Sequence, residues 1–155
     1  MSDLYRPKGF SSAVSYVDPN AAFLWLENAF GFEPLMVILD ANEKIAHSEM
    51  IYGGSVVMVG GEWSENYRSP KSLGGKNTQS VHVQLERGDD IDAHCQRARA
   101  AGAEILQSPE TQFYGDRTYR ARDPEGHIWT FGVTVQEMAP ADWDKASGLT
   151  TRTRL

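Results

Sequence analysis

Two short segments carry side chains suited to proton chemistry, and both have the spacing of a β-strand. His82, Gln84 and Glu86 alternate with apolar residues in SVHVQLE, and His47 and Glu49 show the same spacing in IAHSEM. Alternate residues of a strand point to one face of a sheet, so each set should share a face. The His47–Glu49 pair is either an acid–base unit or a structural pair, because a carboxylate orients a neighbouring imidazole in both cases. His82 either contacts a ligand or is satisfied by cross-strand hydrogen bonds.

The segment FYGDRTYRARDPEGHIWTFG, residues 113–132, predicts two strands joined by a tight turn at its Asp-Pro-Glu-Gly sequence. Its first strand carries three arginines. Arg117 and Arg122 each stand beside an aspartate and could form local ion pairs, whereas Arg120 could meet an anionic group of a ligand. On the second strand, Thr130 alternates with two aromatic residues that should pack in the core.

Composition and charge exclude several classes of protein. The chain of 155 residues is 41% hydrophobic and 23% charged, which suits one globular domain. Its net charge of −6 argues against nucleic-acid binding, which normally needs a basic surface. The single cysteine, Cys95, excludes an internal disulfide and should be an inert thiol on a buried helical face. No apolar run resembles a signal peptide or a membrane span, so we predict a cytoplasmic location and no membrane partner.

The order of predicted elements repeats once along the chain. GGSVVMVGG matches EGHIWTFGV at a shift of 72 residues, and ENAFGFEPL matches RARAAGAEIL at a shift of 71. Each unit is predicted to be β-α-β-β-β, with capped helices at residues 19–30 and 90–101. His94, on the second helix, is expected to be exposed. The predicted single domain, 1–155, contains modules at 10–61 and 79–135, a polar linker at 62–78, and a tail at 136–155 with a short helix after Pro140.

Two such units in tandem, the second closing with YGDRTYRARDPEGHIWTFG, resemble the vicinal oxygen chelate superfamily. That superfamily includes glyoxalase I, extradiol dioxygenases and bleomycin-resistance proteins. The first half resembles it through VDPNAAFLWLENAFGFEP and IAHSEMIYGGSVVMVG, so the resemblance covers residues 10–135. It implies an α+β fold in which two modules form a curved mixed sheet around a cavity. It also implies a homodimer, because members of the superfamily usually pair.

The resemblance further implies which positions would hold a metal ion. Metal-dependent members place His or Gln on the first strand of each module, and Glu on the last. In this chain the glutamate position of the second module is Thr130, and the repeat maps it to Met58 in the first. The first-strand positions are His82 and either Ser11 or Ala13. One imidazole does not make a divalent-metal site, so we expect no metal and no cofactor.

The predicted function is that of a metal-independent small-molecule-binding protein of the glyoxalase and bleomycin-resistance type, with antibiotic sequestration as one form of it. The alternative is a lyase, isomerase or dioxygenase related to glyoxalase I, with a non-standard site around His82 and the His47–Glu49 pair. Trp63, in the linker, either covers the cavity or pins the linker to the surface. The cavity is completed either within one chain or across a dimer. The candidate ligand-binding residues are His82, Gln84, Met58, Thr130, Arg120 and Trp63.

Overall fold

The computed structural model describes residues 5–155, and each half of that chain folds as a β-α-β-β-β unit. The first unit contains β1 (Ser12–Tyr16), α1 (Pro19–Phe30), β2 (Glu33–Leu39), β3 (Ile45–Tyr52) and β4 (Ser55–Gly61). The second contains β5 (Val81–Gln84), α2 (Ile91–Ala100), β6 (Glu104–Thr111), β7 (Asp116–Arg122) and β8 (Ile128–Thr134). A short 3-10 helix, Pro70–Leu73, lies in the linker, and α3 (Pro140–Ser147) follows the second unit. No helix in the described part is long and apolar enough to cross a membrane.

Each unit forms its own four-stranded mixed sheet. The strand order is β1-β4-β3-β2 in the first sheet and β5-β8-β7-β6 in the second. The first strand of each unit runs parallel to the last, and the other neighbours are antiparallel. The α+β class and the two tandem modules predicted from the repeat are confirmed.

The two main helices begin and end where their capping residues stand. The Asp18 side chain accepts a hydrogen bond from the Ala21 amide at 3.0 Å, and Gly31 closes α1 in a left-handed conformation with φ of 74°. The Asp90 side chain caps α2 in the same way. Each helix buries one apolar stripe against the core. Cys95 lies on the stripe of α2, and burial raises the pKa of its thiol, in keeping with an inert role.

One aromatic core joins the two units. Phe30, at the end of α1, packs on Phe131 of β8 with ring centroids 4.7 Å apart, and Phe32 packs on Trp129 at 5.4 Å. Trp129 and Phe131 are fully buried, as their alternation with Thr130 predicts. We call the sheet faces that meet this core the inner faces. Because both inner faces share one core, the two outer faces point away from each other.

The Asp-Pro-Glu-Gly turn connects the two units through side-chain hydrogen bonds, and we call this turn the clasp. Asp123 is 4% exposed, and its Oδ2 accepts hydrogen bonds from the Tyr16 hydroxyl at 2.7 Å and from the Trp129 indole at 3.0 Å. Its Oδ1 accepts from the Glu125 and His127 amides, both at 3.0 Å. A carboxylate of the second unit therefore satisfies a buried hydroxyl of the first.

Glu125 extends this clasp to the start of α1. Its carboxylate accepts hydrogen bonds from the Val17 amide at 2.7 Å and the Asp18 amide at 2.9 Å. The hydroxyl of Ser69, in the linker, donates to the same carboxylate at 2.7 Å. Two carboxylates of one turn thus hold the first unit, the linker and the second unit together.

The prediction that Arg117 and Arg122 form ion pairs with the aspartates next to them in sequence is wrong. Arg117 pairs with Asp92 of α2 at 2.8 Å, and Arg122 pairs with Glu104 of β6 at 2.8 Å. Adjacent residues of a strand point to opposite faces of the sheet, so an arginine cannot easily reach the aspartate next to it. Asp92 and Glu104 instead come from neighbouring elements and lie on the same side as the arginine that each one binds. The turn aspartate beside Arg122 faces the core instead.

The expectation of an exposed His94 is also wrong. His94 is half-buried between the units, where its Nε2 donates to the Phe30 carbonyl at 3.0 Å and its Nδ1 accepts from the Tyr119 hydroxyl at 2.6 Å. Nε2 must donate because a carbonyl only accepts, and Nδ1 can accept from the Tyr119 hydroxyl only when the ring is neutral. Burial lowers the pKa of His94 from its ordinary value of 6.5.

His94 should make the fold sensitive to mild acid. Well above pH 6.5 the ring is neutral in both the folded and the unfolded chain and adds no pH dependence. Below that pH the unfolded chain binds a proton before the folded chain does, so the free energy of unfolding falls, by at most about 1.4 kcal/mol per pH unit. Urea unfolding at about pH 7.5 and about pH 5.5 should show a smaller loss for His94→Gln than for the natural protein. Equal losses in the two proteins would contradict this assignment.

Candidate functional site

A row of polar residues crosses the outer face of the second sheet. Arg120 on β7 lies opposite Thr130 on β8, and Thr130 lies opposite His82 on β5. Residues that pair directly across strands share a face, and the neighbours of Thr130 on β8 are buried on the inner face. The sheet therefore brings together three side chains that the sequence analysis placed in the ligand site.

Gln84 organises this row through its amide. The Gln84 Nε2 donates to the Asp116 carboxylate at 3.1 Å and to the Thr134 hydroxyl at 3.4 Å, so its Oε1 points to His82. The His82 Nε2 lies 2.9 Å from that oxygen and must donate to it. The Nδ1 of a neutral His82 is then an acceptor, and it can receive a hydrogen bond from a bound molecule.

A glycine makes room for this arrangement. A Cβ at Gly132 would lie 3.1 Å from the Gln84 Oε1 and 3.3 Å from the His82 ring, which is closer than ordinary side-chain contacts allow. The sequence analysis missed this position, although a glycine inside a strand is a known sign of close approach. The equivalent residue of the first sheet is Gly60, which lies opposite Ser15 and has open space above it.

Arg120 differs from the other two arginines of its strand. Its Nε donates to the Thr130 hydroxyl at 3.3 Å, and within residues 5–155 no carboxylate lies within ion-pair distance of it. Arg117 and Arg122 are both paired. Because the Arg120 side chain is exposed, its remaining N–H groups are available to an oxygen acceptor.

The outer face of the first sheet carries a different row. Glu49 on β3 lies opposite Met58 on β4, and Met58 lies opposite Ala13 on β1. The Glu49 residue is only 7% exposed, and its Oε1 lies 3.1 Å from the His47 Nε2. Met36 on β2 flanks the carboxylate on its other side, a neighbour that the sequence analysis missed. The carboxylate thus lies between two thioethers, with an imidazole as its hydrogen-bond partner.

The sequence profile of the Glyoxalase/Bleomycin resistance protein/Dioxygenase superfamily matches residues 12–131. The chain belongs to this superfamily. An uncharacterized protein of Mycobacterium tuberculosis is 30% identical to it over 125 residues, a match that covers 78% of this chain and 71% of the relative.

Two solved structures of the superfamily fold resemble the chain closely. TioX from Micromonospora sp. ML1 has 31% sequence identity and a TM-score of 0.63, and the match covers 82% of this chain and 98% of TioX. TnmS3, an antibiotic binding protein from Streptomyces sp. CB03234, has 18% identity and a TM-score of 0.58, with 86% and 98% of the two chains covered. At that lower identity the likeness to TnmS3 concerns the fold alone.

The residues present do not fit the metal ion of metal-dependent superfamily members. Register settles the open first-strand position, because Ala13 pairs with Met58 as His82 pairs with Thr130. The four mapped positions offer one imidazole, one thioether, one hydroxyl and one methyl group. Across the described chain, no group of three or more His, Cys, Asp or Glu residues is placed to hold a metal ion. The donor set lacks the carboxylates that would balance a divalent charge.

Trp63 is positioned by the linker and not by a sheet. Its ring stacks on Tyr67 at 4.1 Å, and it remains 71% exposed. The loop below it is fixed by Glu62, whose carboxylate accepts from Arg68 and from the Ser69 amide, both at 2.8 Å. The stacked rings of Trp63 and Tyr67 therefore form a preformed aromatic surface that is open to solvent.

Apart from Trp63 in the linker, the predicted site residues of this superfamily member therefore fall into two separate groups. Neither group can enclose a ligand alone, because the outer faces of one chain point in opposite directions. The second sheet carries His82, Gln84, Thr130 and Arg120, and the first carries His47, Glu49 and Met58.

Proposed function

We propose that this protein binds a small organic molecule on its outer faces without a metal ion. The observation that carries the proposal is the row of Arg120, Thr130 and His82, which offers hydrogen-bonding groups and has a hydroxyl where a metal-dependent member places a glutamate. TnmS3, which has the same fold, is an antibiotic binding protein, and this supports antibiotics as the class of ligand. The acidic net charge of −6 is compatible with a neutral or cationic drug.

Five of the six candidate ligand-binding residues have a stated role in this proposal. Arg120 donates hydrogen bonds to a carbonyl or anionic oxygen of the ligand. His82, held by Gln84, accepts a hydrogen bond at Nδ1. Met58 offers an adaptable apolar surface, as thioethers do in sites that accept varied molecules. Trp63 adds a stacking surface at the linker.

We also propose that the working unit is a homodimer. The first-sheet row and the second-sheet row face opposite sides of one chain, so a ligand on either has protein on one side only. Ligand sites usually bury most of the bound molecule's surface. In such a dimer, the first-sheet row of one copy would face the second-sheet row of the other. A ligand between them would then have protein on both sides.

The test is a screen of antibiotics against protein treated with a metal chelator, with hits confirmed by calorimetry. We expect binding to persist after chelation, because no step depends on an ion. For a hit with a carbonyl or anionic group, Arg120→Ala should weaken binding about tenfold to hundredfold, the usual value of a charge-assisted hydrogen bond.

Arg122→Ala is the matched control, because Arg122 lies on the same strand but is occupied by Glu104. It should change affinity by less than about threefold. Binding that appears only with added metal, or that responds equally to both arginine variants, would contradict the proposal.

A second candidate function is metal-free proton transfer, favoured by the His47–Glu49 hydrogen bond of 3.1 Å on the first-sheet outer face. A carboxylate that orients an imidazole is the arrangement of a general base. The same hits distinguish the two functions. Mass spectrometry of each ligand after long incubation should show it unchanged for a binding protein, and isomerised or cleaved, dependent on His47, for an enzyme.

A further inference from the structure

A cleft opens between the two sheets, and His82 and Gln84 of the second-sheet outer-face row border it on one side. Its volume is about 320 Å³. Phe32 and Trp129, which are 2% and 0% exposed, form its deepest part. Half-buried residues from both units line its walls, namely Tyr52, Val57, Val81 and Val83. Neither helix contributes a residue to the lining, so the cleft is the part of the inter-sheet space that α1 and α2 leave unfilled.

The aromatic residues of this cleft hold each other in place. Phe32 meets Tyr52 edge to face at 5.7 Å and tilts against Trp129 at 5.4 Å. Because these rings also belong to the main core, the cleft cannot close by a simple side-chain collapse. Phe10 lines the mouth, and its side chain is fully exposed, so a molecule in the cleft would also cover this ring.

Polar groups line one part of the cleft. Ser12 and Ser55 contribute hydroxyl groups, and His82 and Gln84 border both the cleft and the second-sheet outer face. An apolar pocket with a few hydrogen-bonding groups is the usual form of a small-molecule site. The volume and the largely apolar and aromatic lining suit an aromatic molecule with one polar edge.

The lining of the cleft selects against anions. No lysine, arginine, aspartate or glutamate of the described chain lines it, so an anionic group there would be partly desolvated without a lysine or arginine to pair with. We propose that this inter-sheet cleft is a second binding site, which shares only His82 and Gln84 with the proposed outer-face site, for a flat aromatic molecule that carries no negative charge.

Two fluorescent probes with one shared skeleton test the proposal. N-phenyl-1-naphthylamine is uncharged, and 8-anilino-1-naphthalenesulfonate adds a sulfonate to the same rings. We expect one equivalent of the uncharged probe to bind with a dissociation constant of about micromolar, and the sulfonate to bind at least about tenfold more weakly. Equal or tighter binding of the sulfonate would overturn the charge argument.

Substitutions that fill the cleft locate the probe. Val83→Phe should weaken binding of the uncharged probe by about tenfold, because the added ring occupies the cleft. Val57→Phe fills the cleft from the opposite sheet and should weaken probe binding in the same way. It serves as the test if Val83→Phe does not fold. Val37→Phe is the matched control on exposed β2, and it should leave the affinity unchanged.

Arg120→Ala separates this site from the proposed outer-face site. It should weaken an outer-face ligand while leaving the uncharged probe unaffected. The inference is overturned if both filling variants fold and bind the probe as the natural protein does. It is also overturned if light scattering shows that probe binding is lost as two copies associate, because the cleft would then be an interface between copies.

Discussion

Replacement of Asp123 by alanine is expected to lower the free energy of unfolding by about 4 kcal/mol. The substitution leaves the Tyr16 hydroxyl and the Trp129 indole buried without their acceptor, and each orphaned donor costs about 1 to 3 kcal/mol. Small domains are stable by only about 5 to 15 kcal/mol, so the loss is a large share of the total. Urea unfolding at neutral pH measures it directly.

Two matched variants make that experiment specific. Asp123→Asn keeps one acceptor oxygen and should cost about 1 to 2 kcal/mol. Glu104→Gln removes a carboxylate from the exposed ion pair with Arg122 and should cost less than about 1 kcal/mol. If Asp123→Ala destabilises the protein no more than Glu104→Gln does, then the turn does not act as a clasp between the units.

The second large effect is the creation of a metal site. Calorimetry with Zn²⁺ or Ni²⁺ should show no stoichiometric binding to the natural protein. The triple variant Ala13→His, Met58→Glu and Thr130→Glu restores imidazole and carboxylate donors at the mapped positions. These positions meet only in the proposed dimer, where the first-sheet row of one copy faces the second-sheet row of its partner, and there the two carboxylates balance the charge of the ion. We expect it to bind a divalent ion with a dissociation constant of about micromolar or tighter.

The metal experiment depends on His82 as the fourth donor. Adding His82→Ala to the triple variant should weaken binding about tenfold or more. A control that places glutamates at the exposed positions Val37 and Val135 adds the same charge without convergence, and it should bind no ion tightly. One tightly bound equivalent in the natural protein, lost with His82→Ala alone, would contradict the metal-free proposal.

Local pattern was enough to predict the elements and the faces of the strands. The α1 bounds follow from Asp18, Pro19 and Gly31, whose effects act within one helical turn. Alternation placed Thr130 on one face and its aromatic neighbours in the core, because the side-chain period of a strand is fixed. The family resemblance indicated Thr130 as a ligand position, the internal repeat supplied its equivalence to Met58, and the strand registers agree with that equivalence.

Contacts between distant parts of the chain were not predictable in this way. Tyr16 and Asp123 are 107 positions apart, and no local periodicity links them. His94 was expected at the surface because polar residues on helices usually lie there, but its partners come from another helix and another strand. Gly132 was missed because its role depends on how Gln84 and His82 cross over it.

The clasp also limits how the two repeats can diverge. Asp123 provides the acceptor for the buried Tyr16 hydroxyl of the other unit, so the first repeat could not be moved into a different chain without leaving this buried donor unpaired. The side chains of the two outer faces do not depend on each other in this way. The second repeat has His82 where the first has Ala13, and both repeats still fold alike. The two repeats therefore depend on each other in the core, whereas the residues of the two outer faces can change independently of each other.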